Sequence, residues 1–456
     1  MALTSINKAY TSYKSSDIEW IGEIPDGWSV RKLKWCLLPG RKGMRIGPFG
    51  SSLKLDIMVD DGIKVYGQEN VISSDYSSDT GKRRISYEKF KEMEAYEVFP
   101  DDILLSMMGS TGNFSRVPAN VEKGIIDSHL LRIRFNELLN LDYFIYLSNY
   151  SAAVSQQVEA VGKGSIMQGL NSSLVRQLWL PLPPLPEQQA IASFLDRETA
   201  RINKIIEKQT RLVELLKEKR SALITQAVTR GLDPNAKKKD SGVEWIGEIP
   251  EGWGVYKIKF MIEKSLGGGT PNTSIPSYWD GDIPWVSPKD MKVDIIRDSE
   301  ECITEKGVAE STVNMIPADA LLCVFRSGIL KHTFPIAINE IPVTLNQDMK
   351  ALIPESKTSS AYLYWLFSGF NKTILNLCVK VIATVDSIES KYFYNLVLPL
   401  PSVHEQKIIM DYLTKETSLI NNLMLKIEKQ INLLYEYKQS LITAAVTGKI
   451  DVRDVQ

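Results

Sequence analysis

Cysteine and histidine are scarce in this 456-residue chain, and what they build is correspondingly excluded. The four cysteines, Cys36, Cys302, Cys323 and Cys378, are scattered, so neither a disulfide framework nor a CxxC metal-ligand spacing is present. They read as free, buried thiols. The three histidines, His129, His332 and His404, do not cluster. No hydrophobic run approaches the ~18 residues that span a bilayer, and the opening MALTSINKAYTSYKSSD lacks a secretory apolar stretch, so a cytoplasmic location is the expectation. Charge of one sign is missing too. Lys and Arg number 54 against 55 Asp and Glu, a net of −1, so a basic surface for a nucleic acid has to be local. Catalytic signatures are also absent. The adjacent prolines Pro183 and Pro184 sit in LPPL, unlike the Asp/Asn-Pro-Pro-Tyr/Phe of an amino-methyltransferase, and no G-x-x-x-x-G-K-S/T phosphate loop occurs. Fragments such as Glu436-Tyr437-Lys438 have a nuclease-like form, but they arise by chance in any charged helix.

What is present is repetition. EWIGEIPDGW (Glu19 to Trp28) returns as EWIGEIPEGW (Glu244 to Trp253). LPLPPLPEQQAIASFL, from Leu180, is echoed by LPLPSVHEQKIIMDYL, from Leu398, so that Glu187 maps to Glu405. ALITQAVTRGLD (Ala222 to Asp233) matches SLITAAVTGKID (Ser440 to Asp451). A chain of this length, with 44% hydrophobic residues, fills more than one core, and the repeats make it two half-chains in tandem. Each half runs from the tryptophan phrase through a divergent stretch to a proline-rich punctuation and a long charged segment. The divergent stretches read as mixed α/β globules: DILLSMMG and ALLCVFRSG as strands, LDYFIYLSNYSAAVSQQ and SAYLYWLFSGF as helices. Pro183, Pro184 and Pro186 stop regular structure before a new element begins.

That element is a long helix in each half. Between Glu187 and Thr229 there is no Pro or Gly, and a seven-residue interval picks out Gln188, Leu195, Ile202, Gln209, Leu216 and Leu223, with Ile191, Ile205 and Leu212 in the second seam position. The second copy gives Gln406, Leu413, Ile420, Ile427, Leu434 and Leu441, with Ile409, Leu423 and Tyr437 beside them. Some 40 residues make a rod of roughly 60 Å, and a lone rod would leave its apolar stripe wet, so the two are expected to pack on each other. If an internal pseudo-two-fold relates the halves, they form an antiparallel coiled coil with a globule at each end. Two similar globules at fixed separation suit a long ligand with two half-sites, of which double-stranded DNA is the commonest. The expected domains are residues 1–185, the helix 186–233, residues 234–403 and the helix 404–456.

With YKSSDIEWIGEIPDGW, GPFGSSLK, DILLSMMGSTGN, LPLPPLPEQQAIASFL and GGGTP…YWDGDIPWVSPKDM in hand, nearly the whole chain resembles the DNA-specificity subunit of Type I restriction-modification enzymes, a host-defence system. The resemblance implies two target-recognition domains, each reading one half of a split, asymmetric DNA site, and helical regions that dock two methyltransferase subunits. It implies a subunit that catalyses nothing and binds no cofactor. S-adenosylmethionine then belongs to the methyltransferase subunits, and ATP and Mg to the motor-nuclease (restriction) subunits that cleave unmodified DNA. Two other readings stay open, a protein-binding coiled-coil scaffold and a fused methyltransferase or nuclease with unfamiliar motifs.

Positions that agree between the halves should serve folding, rod packing and docking, while base-reading positions should differ. On that rule the candidate DNA-contacting residues in the first half are Arg41, Lys42, Arg45, Lys54, Gln68, Asn70, Ser110, Thr111, Asn113 and Lys163. In the second half they are Thr270, Asn272, Ser287, Lys289, Arg326, Ser327, Lys331 and His332. Arg or Lys pairs with guanine and Asn or Gln with adenine in the major groove, whereas Ser and Thr more often hold phosphates. The acid-free strip Arg31 to Arg45 reads either as a phosphate-facing patch or as a solvated loop. GPFGSSLK (Gly47 to Lys54) reads as backbone contact with DNA or as a plain glycine turn, and Gly267 to Gly269 as a close backbone approach or as a flexible loop. Trp20, Trp28, Trp245 and Trp253, shared by both halves, are expected to be framework packing rather than base stacking. His129 is expected in an edge-strand structural role and His404 at a helix start.

Overall fold

The computed structural model describes residues 8–107, 112–162, 170–380 and 385–453, with backbone only at 159–162. The chain divides into two compact units, Met1–Lys208 with Gln430–Gln456, and Gln209–Lys429.

The first unit is built on an antiparallel four-stranded sheet in the order Met44–Ile46, Leu130–Ile133, Ile103–Ser106, Phe114–Arg116. Ile103–Ser106, the DILLS of the sequence reading, is buried along its whole length, which requires apolar residues on both faces. A three-stranded sheet, Arg84–Ile85, Met58–Tyr66, Gly124–Ile126, has its last pair parallel, Lys64 opposite Gly124. The expected helix over LDYFIYLSNYSAAVSQQ is two helices, Leu141–Tyr150 and Ala152–Gly162, broken at the extended Ser151.

The second unit repeats the plan. A five-stranded sheet runs Ile262–Gly267, Met349–Pro354, Leu321–Val324, Ile336–Asn339, Ile295–Ile296. A three-stranded sheet of Cys302–Ile303, Trp279–Val286 and Thr344–Leu345 again ends in a parallel pair, Trp285 opposite Thr344. SAYLYWLFSGF forms the buried helix Ser360–Gly369. In each unit an outer antiparallel pair closes the globule, Ser29–Lys32 with Trp179–Leu182 and Gly254–Lys257 with Val397–Leu400. The proline run therefore does not simply interrupt structure. Pro181 lies in a two-stranded pair, and Pro186 in the first helical turn, where its missing N–H has no intrahelical partner to lose.

The long helices span Leu185–Arg230 and Val403–Val446. Each stops just before a glycine in the left-handed region, Gly231 (φ 74°) and Gly448 (φ 73°), conformations that cost a Cβ-bearing residue far more. His404 is the second residue of its helix. Each helix begins in one unit and ends in the other. The first unit's core accordingly contains Ile191, Leu195, Ile202 and Ile206 from the start of the first helix and Leu441, Ile442, Ala445 and Val446 from the end of the second. The second unit's core contains Ile224, Ala227 and Val228 from the end of the first helix and Ile409 and Leu413 from the start of the second.

Along the expected seam, Leu195, Ile202, Leu413, Ile420, Ile427 and Leu441 are buried, while Leu216, Leu223 and Leu434 are half-buried. At the second seam position Ile191 and Ile409 are buried as expected and Tyr437 is half-buried, but farther along the first helix the burial moves to the next residue. Ile206 and Val213 are buried, whereas Leu212 and Leu423 are 44% and 46% exposed and Ile205 is half-buried. Gln188 and Gln406 fasten each helix start to its globule: their Nε2 atoms donate to the carbonyls of Leu138 and Pro183, and of Lys357 and Pro401.

The repeated tryptophan phrase is framework only in part. Trp28 and Trp253 are 1% exposed and pack against Gly448 and Gly231, the glycines at the helix ends, but Trp20 and Trp245 are about two-fifths exposed. Trp28 Nε1 and the Tyr10 hydroxyl both donate to Glu187 Oε1, at 2.9 and 2.6 Å. Burial and that carboxylate raise the Tyr10 hydroxyl well above the usual tyrosine range. In the second unit Trp253 Nε1 has no protein partner among the described residues.

Candidate nucleic-acid interface

In each unit three turns meet at one end of the sheets. The first leaves the strand Met44–Ile46 at Gly47, or Ile262–Gly267 at Gly268. A Cβ on Gly47 would lie 1.7 Å from the Asp127 carbonyl oxygen, and one on Gly268 1.9 Å from that of Asn346, so only glycine lets these turns lie against their neighbours. The second turn follows the long central strand, at Gly67–Asn70 or Ser287–Asp290, and the third precedes the strand Leu130–Ile133 or Met349–Pro354. Backbone bonds lock second to third: Asp127 N–H donates to the Tyr66 carbonyl and Asn346 N–H to the Val286 carbonyl, each at 2.9 Å.

The triple glycine Gly267 to Gly269 is a fixed turn. Gly269 N–H donates to the Leu345 carbonyl at 2.8 Å, Trp285 Nε1 to the Gly269 carbonyl at 2.9 Å, and Asn314 Nδ2 to the Gly267 carbonyl at 3.1 Å. Thr270, exposed beside it, gives its hydroxyl to Gln347 Oε1. Asn272 is exposed and caps its own turn by accepting from Ser274 N–H. Arg326 is exposed and tied to the same end, its N–H donating to the Asp348 carbonyl at 3.1 Å. Ser327 caps the short turn Gly328–Lys331, and Lys331 and His332 are exposed. His332 also lines an open cleft of about 980 Å³ with Lys217, Arg220, Lys292 and Lys372.

Two candidates face inward. Asn70 is fully buried: its Oδ1 accepts from Gly67 N–H at 3.0 Å and its Nδ2 donates to the carbonyls of Asp75 and Thr80. Asp290 does the same work in the second unit, its Oδ2 accepting from the N–H and hydroxyl of Ser287, which is 7% exposed. Gln68, beside Asn70, is half-buried, and Lys289, beside Asp290, is exposed.

Among the remaining first-unit candidates, Lys54 and Asn113 are exposed. Arg45 is half-buried with its guanidinium 5.5 Å from the Tyr96 ring centre, opposite Arg132 across the sheet. Arg132 is 4% exposed, and burial, with Arg134 nearby, lowers it to about 10 against the pull of Asp102. Arg41 and Lys42, though exposed, lie at the far end of the strand from Gly47, beside Arg134 rather than Leu130. The structure does not bring them to the three turns. Ser110, Thr111 and Lys163 fall outside the described residues.

Arg83 and Asp127 are missing from the candidates. Asp127, 4% exposed, accepts from Arg83 Nη2 at 2.9 Å and from His129 N–H at 2.9 Å, and Glu69 accepts from Arg83 at 3.1 Å. Burial opposes the Arg83 charge, but Asp127 and Glu69 outweigh it and hold the guanidinium above its usual value. His129 sits in this turn with its side chain 47% exposed, not within a strand. The signal legible in the sequence is the Asp-Ser pair at 127–128, an aspartate placed to accept from the backbone N–H two residues on. Among the described residues no group of His, Cys, Asp and Glu is placed to hold a metal, and no helix is long and apolar enough to cross a membrane.

Known proteins share this plan. The Type I restriction modification DNA specificity domain matches twice, over residues 48–215 and 250–433. The Escherichia coli Type I restriction enzyme EcoR124I/EcoR124II specificity subunit is 35% identical over 238 residues, 51% of this chain and 58% of that protein, less than two thirds of its length. The MjaVIII specificity subunit of Methanocaldococcus jannaschii is 23% identical over 451 residues, 95% of both chains. A chain from a solved structure of a type I R-M system superposes with a TM-score of 0.68 at 17% identity, covering 93% of this chain and 98% of that one, which is a likeness of fold.

Proposed function

Because the chain belongs to the Type I restriction modification DNA specificity family, we propose that it is the DNA-reading subunit of a Type I restriction-modification assembly and is not itself a catalyst. Each unit reads one half of a bipartite, asymmetric site in double-stranded DNA. The long helices run antiparallel as a rod that sets the distance between half-sites. The parts common to both halves dock two methyltransferase subunits, and restriction subunits join them to cleave unmodified DNA. S-adenosylmethionine, ATP and Mg serve those partners. The expected domain bounds, 1–185, 186–233, 234–403 and 404–456, describe recognition domains alternating with helices, while the interior of each unit draws on both helices.

The observation that carries this reading is where sameness stops. Trp28 and Trp253, Gln188 and Gln406, and Gly448 and Gly231 occupy matching places. The three turns share backbone geometry but differ in side chain: Glu69 against Lys289, His129 against Asp348, Phe49 against Thr270. Readers of two different half-sites need that pattern. The antiparallel rod is supported inside the first unit. The Tyr143 hydroxyl, at 2.9 and 3.0 Å, faces both the Pro181 carbonyl, just before the first helix, and the Val446 carbonyl, at the end of the second; farther along, Lys438 Nζ donates to Asn203 Oδ1 at 3.0 Å.

The deciding experiment maps methylated adenine genome-wide in cells carrying this gene with a partner methyltransferase gene, and in cells lacking only this gene. A bipartite motif that vanishes on deletion is the expected result. An unchanged methylation map with the partner expressed would sink the reading.

A further inference from the structure

Phe49 and Leu55 are the most exposed large apolar side chains among the described residues, at 86% and 85%. Their exposure is not slack in the backbone. Gly47 is pressed onto the Asp127 carbonyl and its N–H donates to the Leu130 carbonyl at 3.0 Å, and Pro48 is buried. Beyond the ring, the Ser52 and Leu53 amides donate back to the carbonyls of Phe49 and Gly50, at 2.8 and 3.2 Å. The chain thus fixes the backbone that carries a phenyl ring into water, at the end of the sheets where the three turns meet.

The frame does not require that ring, since the second position after the matching glycines Gly47 and Gly268 carries Thr270 in the second unit. The residues that follow it are small and polar, Gly50, Ser51 and Ser52; the Ser128 hydroxyl oxygen would lie 3.8 Å from a Cβ on Gly50, and Lys54 stands exposed with no ion-pair partner among the described residues, while Ile46 and Leu55 are the exposed apolar side chains nearest in sequence. An anchor for a protein partner sits within an apolar patch rimmed by polar residues. A ring among glycine, serine and lysine has instead the makeup of a DNA wedge, in which the apolar group enters a base step, small residues admit the backbone and a cation meets the phosphate.

We propose that Phe49 is such a wedge, inserting between two base pairs of the half-site read by the first unit and partly unstacking them, with Lys54 on the adjoining phosphate. The proposal rests on the DNA-reading function above.

The test uses the full chain assembled with its methyltransferase subunits and duplexes carrying the mapped motif, with 2-aminopurine scanned through both half-sites at positions other than the methylated adenine. Wild type should raise the fluorescence several-fold at one step, in one half-site only. F49A should return that step to the level of free duplex and weaken binding about tenfold, while F49W keeps both. K54Q should keep the fluorescence and lower the steepness of salt dependence by about one phosphate contact. Unchanged fluorescence and affinity in F49A would overturn the wedge. So would an F49A chain that assembles poorly with the methyltransferase yet gives the full signal once assembled, which would mark Phe49 as a protein anchor. If wild-type assembly binds motif and scrambled duplexes equally, the DNA-reading function itself falls, and the wedge falls with it.

Discussion

Glu187 is 8% exposed and accepts from both Trp28 and Tyr10, so removing either donor leaves a buried carboxylate short of a partner. Trp253 makes no matching bond among the described residues. Both tryptophans lose similar volume on truncation to Phe, so Trp28→Phe should destabilise the chain by about 1–3 kcal/mol more than Trp253→Phe, read from chemical unfolding followed by circular dichroism. Equal losses would mean that the Glu187 bonds contribute nothing net. Glycines allow a similar paired comparison. Gly47→Ala drives a Cβ into the Asp127 carbonyl and should cost about 1–3 kcal/mol, whereas Gly50→Ala, whose nearest neighbour is 3.8 Å away, should be close to neutral by thermal unfolding. Asn70 marks where residue type misleads. It was legible as an asparagine in a Gly-containing turn and so as a reader of adenine, but its spacing three residues after Gly67 is also that of a side chain closing a turn, and burial decides for the second role. Asp290 after Ser287 carries the same spacing, and the pair together held the signal.

At the scale of elements, the long helices were the most legible feature, because over 40 residues a seven-residue repeat is counted many times. Their second seam position was harder. Ile205-Ile206 and Leu212-Val213 place two apolar residues side by side, and spacings of three and of four both stay near one helix face, so the pattern alone does not choose. Burial does choose. Val213→Asp, at 6% exposure, should destabilise by about 3 kcal/mol or more, while Leu212→Asp, at 44%, should stay within about 1 kcal/mol, again by chemical unfolding. The same helices carry the spacing prediction. Four residues inserted between Ile202 and Leu216 lengthen a helix by ~6 Å, which at ~3.4 Å per base pair should widen the preferred gap between half-sites by one or two base pairs in a methylation map. An unchanged gap would contradict a rod that sets the spacing. Sheet order was not legible, since strands of two to four residues carry too little alternation to fix their neighbours.

At the scale of the molecule, the repeats announced two halves, but not that each unit borrows the end of the other half's helix. Sequence order implies that each globule is followed by its own rod. In the structure, Leu441, Ile442, Ala445 and Val446 complete the first core, and the matching Leu223, Ile224, Ala227 and Val228 serve the second. Residues 1–233 expressed alone therefore lack one end of their core and carry a spare copy of it. Two such fragments can each fill the other's gap, so sedimentation should find a dimer; a monomer melting at the full chain's temperature would contradict the shared cores. The repeated decapeptide has a consequence of a different kind. It forms the same short strand and seats the same buried tryptophan in both units, so each half opens on one interchangeable stretch of protein. Two halves exchanged at a join within it meet over a buried tryptophan on either side, and under the DNA-reading function proposed above such an exchange should replace one half of the recognised site in a single step.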